Sequence, residues 1–126
     1  MAHVLLIDDE PAIGALFAEA LEEAGHRVDV ASDGRVVHGK GATDHYDVVV
    51  TDLMMPNVDG LEVIRIVAMA NPRARILAVS GGGAFVSADY LPIAKELGAH
   101  VVLYKPILPD DLVQEVARQL DAAARA

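Results

Sequence analysis

Runs of apolar residues alternate along this chain with stretches of helical period. Val4-Leu5-Leu6-Ile7 is a continuous apolar run, as expected of a strand covered on both faces, and residues 3–7 are predicted as one. From Pro11 the period changes. Ile13, Leu16, Phe17, Ala20, Leu21 and Ala24 recur at the three- and four-residue spacing of an amphipathic helix, with Pro11 in its first turn and Gly25 at its stop. Val28–Ala31 predicts a second strand. Asp33–Tyr46 predicts a second helix, short or mobile because Gly39 and Gly41 each cost about 1 kcal/mol against alanine. Asp47–Thr51 predicts a third strand. The third helix carries Leu61, Ile64, Val67 and Ala68 on one face and ends at Asn71-Pro72. A fourth strand is predicted over about 75–79. Gly81-Gly82-Gly83 then opens a loop into a helix ending near Gly98, followed by a strand over about 101–104. The last helix begins near Asp110-Asp111, whose charges favour a helix N-terminus, and presents Leu112, Val113, Val116, Ala117 and Leu120 to the core.

Five strands, each followed by a helix, predict an α/β domain with a parallel sheet covered on both faces. Right-handed crossovers leave a doubly wound, flavodoxin-like (βα)5 sandwich of strand order 2-1-3-4-5 as the compact solution. Such folds place their sites at the carboxyl ends of the strands, beside the switch point between strands one and three. Four strand ends here carry reactive side chains: Asp8-Asp9, Asp52, Ser80 and Lys105-Pro106. Alone, each is commonly a solvated turn; four complementary ends on one edge make that joint reading unlikely.

Clustered carboxylates repel unless a cation or proton neutralises them. Mg²⁺ suits such a site, because it takes hard oxygen ligands and keeps waters that a phosphate oxygen can replace. An aspartate beside it can act as a nucleophile toward phosphorus. Lys105 can offer an ammonium to one phosphoryl oxygen and Ser80 a hydroxyl to another.

Composition narrows the classes. The 126 residues suit one domain, predicted over 1–126, and 53% apolar content supplies its core. A net charge of -9 argues against nucleic-acid or anionic-membrane partners, which require basic patches. The absence of cysteine excludes disulfides and thiolate zinc sites. No apolar run approaches membrane-spanning length, and Met1-Ala2-His3 leads straight into a strand pattern without a basic leader, so a cytoplasmic address is expected.

The set Ile7-Asp8-Asp9-Glu10-Pro11, Thr51-Asp52-Leu53-Met54-Met55-Pro56-Asn57-Val58-Asp59-Gly60, Val79-Ser80 and Tyr104-Lys105-Pro106 resembles the receiver domain of two-component response regulators, across essentially the whole chain. The resemblance implies that Asp52 accepts a phosphoryl group from a sensor histidine kinase or a histidine phosphotransfer protein. It implies that Asp9, Asp52 and the Met54 carbonyl bind Mg²⁺ with Asp8 assisting. Ser80 and Lys105 would be the switch hydroxyl and the phosphate-binding lysine, and the Lys105-Pro106 bond would be cis. Met54 and Gly82, two residues after Asp52 and Ser80, would govern how water reaches the acyl phosphate.

Three positions depart from the family pattern. Val102 stands where most receivers carry an aromatic switch residue, Ile107 replaces the usual Phe after Lys-Pro, and the glycine triplet lengthens the segment from Ser80 to Gly98. Tyr104, two residues after Val102, faces the same side of a strand. It is either the substitute aromatic contact on the surface of the fourth helix, fifth strand and last helix, or a partly buried tyrosine that only packs.

A stand-alone receiver without an output domain, signalling to a downstream protein by docking, is the leading reading. The others are a degenerate receiver that docks without phosphate, a small phosphohydrolase with an aspartyl nucleophile, and a flavodoxin-like small-molecule binder. Leu53-Met54 after Asp52 disfavours the hydrolase, which calls for Asp-x-Asp, and the three carboxylates disfavour an anionic cofactor. The glycine triplet is no P-loop, because no Gly-Lys-Ser/Thr follows. His3, His26, His38, His45 and His100 are scattered without ligand spacing and are expected at the surface.

Overall fold

A computed structural model of the chain describes residues 1–53, 59–80 and 90–125. Its elements are β1 (His3–Ile7), α1 (Pro11–Glu23), β2 (Arg27–Ala31), a 3₁₀ turn (Gly34–Val37), β3 (Val48–Asp52), α2 (Gly60–Ala70), β4 (Arg75–Ser80), α3 (Tyr90–Leu97), β5 (Val101–Tyr104) and α4 (Pro109–Arg125). The five strands form one parallel sheet of order β2-β1-β3-β4-β5, as the alternation predicts.

The period-two alternation of each central strand divides the core between the sheet's two faces. Leu5, Ile7, Val49, Ile76 and Ala78 pack against Val63, Ile64 and Val67 of α2 and Ala94 of α3. Val4, Leu6, Val48, Val50, Leu77 and Val79 pack against Phe17, Ala18 and Leu21 of α1 and Leu112 and Val116 of α4. β1, β3 and β4 are therefore buried at nearly every position, whereas the edge strands β2 and β5 are only partly covered.

The helix ends follow local chemistry. Pro11 occupies the first turn of α1. At its other end the Gly25 and His26 amides donate to the Glu22 and Leu21 carbonyls, a Schellman closure that requires the positive φ of 97° at Gly25. Asp59 caps α2 by accepting from the Glu62 amide at 2.9 Å.

Three expectations change. The helix predicted over 33–46 is a single 3₁₀ turn followed by hydrogen-bonded turns, with Gly39 and Gly41 at φ of 104° and 78°. Tertiary bonds hold this segment instead. Asn71 Nδ2 donates to the Thr43 and Tyr46 carbonyls at 2.8 and 3.1 Å, and the Arg75 amide donates to the Asp47 carbonyl. Leu16 is exposed on α1, whose inner face is Gly14, Phe17, Ala18 and Leu21. On α4 the buried stripe is Leu112, Glu115, Val116 and Gln119, so Ala117, one step of about 100° past Val116, is exposed. Gln119 is held there by Arg75, whose Nη2 donates to its Oε1 at 2.9 Å.

Gly60 sets how closely α2 approaches β3. A Cβ there would lie 2.4 Å from the Asp52 carbonyl oxygen and 2.5 Å from Leu53 Cα. Both obstacles are backbone, so side-chain rearrangement cannot relieve them. Gly60→Ala is expected to destabilise the domain by about 2 kcal/mol or more, within or above the ordinary range for overpacking. Urea unfolding would read this as a lower midpoint at unchanged slope.

Candidate functional site: an acidic pocket at the strand ends

The parallel register fixes the site. Ile7 pairs with Thr51, Asp52 with Val79, and Ser80 with Tyr104. Asp8 and Asp52 therefore leave adjacent strands at one level, with Ser80 and Lys105 following on the next two. Lys105 is tied in by its amide, which donates to the Ser80 carbonyl at 2.8 Å.

Asp8 and Asp52 are 4% and 5% exposed, nearly as dry as the core. Lys105 Nζ lies 3.1 Å from Asp52 Oδ2 and 3.7 Å from Asp8 Oδ2, bridging the two carboxylates. Burial raises the pKa of Asp8, as do the charges of Asp52 and Asp9, against the Glu10 amide and Lys105, which favour its ionised form. The Glu10 amide donates to Asp8 Oδ1 at 2.9 Å, a local turn that aims the carboxylate. Burial opposes the charge on Lys105. The Asp52 hydrogen bond and the charges of Asp52, Asp8 and Glu10 outweigh it and hold the lysine above its ordinary pKa.

Asp8, Asp9 and Glu10 bring carboxylate oxygens within 4.8 Å of one another. All three donors are hard oxygens, the set that suits Mg²⁺. Asp9 is partly exposed and Glu10 exposed, so the group opens toward solvent. Glu10 is an addition to the residues singled out from sequence; its signal was its position directly after the acidic pair. Met54, the predicted carbonyl ligand, lies outside the described residues, as do Gly82 and the rest of the glycine triplet.

Ser80 is fully buried, and its Oγ has no hydrogen-bond partner among the described residues. Leaving a buried hydroxyl unbonded costs about 1–3 kcal/mol. The Lys105-Pro106 bond is cis, as the resemblance implies. Val102 is half-buried against the α2 side of the core, while Tyr104 on the same face is 56% exposed, which removes the reading of a partly buried packing residue. Beside Lys105 a cleft of about 410 Å³ is lined by Glu10, Ile13, Phe17, Pro106 and Ile107.

The histidines need correction. His38, His45 and His100 are exposed as expected, but His3 and His26 are partly buried. His3 and His45 also meet, with ring centroids 5.0 Å apart, although 42 positions separate them in sequence. No spacing rule detects a pair joined by strand register and a folded loop.

Fold and pocket together define a doubly wound α/β domain with a lysine-bridged acidic pocket at its switch point. The family model of the response regulator receiver domain matches residues 4–117, and the chain belongs to that family. Receiver domains are the phosphoacceptor switches of two-component systems and bind Mg²⁺ at their acidic pocket. The chain is 31% identical to the transcriptional regulatory protein CusR of Escherichia coli over 96% of its own length and 52% of that protein. It is 28% identical to the response regulator receiver protein CpdR of Brucella abortus over 98% of its length and all of that protein. Among solved structures, the chemotaxis protein CheY4 of Vibrio cholerae superposes with a TM-score of 0.82 at 30% identity, covering 94% of this chain and 98% of that one. The chain spans about half the length, or less, of the first transcriptional regulators it matches. Among the described residues, no helix is long and apolar enough to cross a membrane.

The unbonded hydroxyl makes a specific expectation. Ser80→Ala should leave the unmodified domain as stable as wild type or up to about 1 kcal/mol more stable, because it removes a buried polar group that has no partner among the described residues. Thermal unfolding measured without phosphodonor checks this; a clear loss of stability would mean that the hydroxyl is already bonded.

Proposed function

We propose that Asp52 is the phosphoacceptor of a two-component phosphorelay, and the lysine bridge carries this reading. Lys105 pairs its ammonium with the buried Asp52 carboxylate at 3.1 Å, and a carboxylate oxygen is the nucleophile that attacks phosphorus. In the proposed step an Asp52 oxygen bonds to the phosphorus of a phosphohistidine. The phosphorus–nitrogen bond breaks, and the imidazole leaves with its electron pair and takes up a proton. Asp9, Asp52 and the Met54 carbonyl would hold Mg²⁺ with Asp8 assisting, and Glu10 lies close enough to Asp8 and Asp9 to share that role. The bound ion would neutralise charge on the phosphoryl oxygens.

Lys105 then exchanges its Asp52 contact for one phosphoryl oxygen. Ser80 donates its hydroxyl, which has no partner among the described residues, to another. The protein assists this transfer and its reversal by water but is not a turnover enzyme.

The phosphodonor partner is a sensor histidine kinase or a histidine phosphotransfer protein. The output is a changed surface around α3, β5 and α4 that docks a downstream protein target, rather than nucleic acid or membrane, in keeping with the net charge of -9. The match with CpdR, over 98% of this chain and all of that protein, supports reading residues 1–126 as one receiver domain.

Two experiments test this. Intact mass after incubation with Mg²⁺ and a small-molecule phosphodonor should show one added phosphoryl group on wild type and none on Asp52→Asn. Phosphate on both, or on neither together with failure of beryllofluoride to bind, would remove the assignment. Tyr104→Ala should weaken phosphorylation-dependent partner binding several-fold while leaving phosphate uptake unchanged. Equal binding would show that this exposed ring is not part of the output surface.

A further inference from the structure

At the opposite edge of the sheet, His3, Asp29 and His45 turn ligand atoms to one point, all within 4.8 Å of one another. His3 opens β1. Asp29 pairs in register with Leu5, so it lies on the same face of the sheet two positions along. His45 comes from the turn segment that replaces the predicted second helix. Since Val4 pairs with Val48, His3 sits level with position 47, five residues before Asp52 on β3. At about 3.3 Å per residue that is roughly 16 Å from the phosphoacceptor, so this cluster is a separate site.

Two of the ligand atoms already meet, and neighbouring groups hold them. His3 Nε2 lies 2.9 Å from Asp29 Oδ2. Tyr46 donates its hydroxyl to the same carboxylate at 2.7 Å. That bond, ahead of those from His3, keeps Asp29 below the usual carboxylate range. Burial, together with the neighbouring Asp29, pushes Tyr46 up to about 12, so the phenol remains a donor. The backbone on both sides of His45 is also fixed. Asn71 holds the Thr43 and Tyr46 carbonyls. The Asp47 amide donates to the His3 carbonyl, and Asp47 Oδ2 accepts from the His3 amide, each at 2.8 Å. Outer bonds of this kind orient ligands for a metal.

We propose that His3, Asp29 and His45 form a binding site for a borderline divalent cation of the Zn²⁺ class. Two imidazoles and one carboxylate are a common protein donor set for Zn²⁺, with water completing the tetrahedron. Bonds of about 2.0–2.1 Å place tetrahedral donors about 3.3 Å apart. The His3–Asp29 pair is already close to that, and the exposed His45 ring can rotate in to close the third side. Mg²⁺ prefers the all-oxygen pocket at the other edge, so the two sites differ in the ions they select.

Zn²⁺ titration by calorimetry, on metal-stripped full-length chain in saturating Mg²⁺, tests the proposal. One Zn²⁺ per chain is expected, with affinity at least tenfold weaker in His45→Ala and in Asp29→Asn and unchanged in Asp9→Asn. His45 is exposed, so its replacement keeps the fold. The histidine ring resonances of His3 and His45 should move on Zn²⁺ addition, and those of His38 and His100 should not. Equal Zn²⁺ affinity in wild type and His45→Ala, loss in Asp9→Asn instead, or no binding below millimolar Zn²⁺ would each overturn it.

Discussion

Asp8 and Asp52 stand at neighbouring strand ends with almost no solvent around them, and burial, with the nearby charge of Asp52, raises the cost of ionising Asp8. Lys105, bonded to one and close to both, is the charge that makes the arrangement tolerable. Everything nearby follows from that balance. The lysine must arrive at the correct level, which the β4–β5 pairing and its amide bond to the Ser80 carbonyl secure. The carboxylates must point together, which the turn at Glu10 and the end of β3 secure. A pocket balanced by a single flexible ammonium can be rebalanced by a different charge distribution, and this makes it a switch as well as a binding site.

The packing around Gly60 serves the same end. With no side chain at that position, the start of α2 rests directly on the backbone of Asp52 and Leu53, and the Gly60 amide donates to the Leu53 carbonyl at 3.1 Å. The Asp-Gly pair that begins α2 therefore has two distinct duties, a cap from Asp59 and a close approach from Gly60.

Much of this was legible in the sequence because it depends on period and on strand ends. Continuous apolar runs marked the doubly covered strands, and alternation with helical stretches specified the sheet order. The residues directly after β1 and β5 were visible as Asp8 and Lys105, and those at the ends of β3 and β4 as Asp52 and Ser80. What escaped depends on tertiary contacts. Nothing local reveals that Gln119 is drawn inward by Arg75, so the inner stripe of α4 was read as wholly apolar. The span 33–46 has some helical character, but Asn71 and Arg75 fix it in turns from outside. The same fixing brings His45 to His3, a meeting that sequence spacing cannot encode.

That segment carries a kinetic consequence. Its shape depends on His3, Asp29, Asn71 and Arg75, three of them on strands and all but Asp29 distant in sequence. It has no α-helix of its own to nucleate, so it can set only after β1, β2 and β4 have assembled. Among the described residues, the final turns to fold are therefore expected to lie here, outside the transition-state nucleus, where sequence changes alter the unfolding rate far more than the folding rate. The region is thus free to vary in how long the native state persists without affecting how quickly the domain is made.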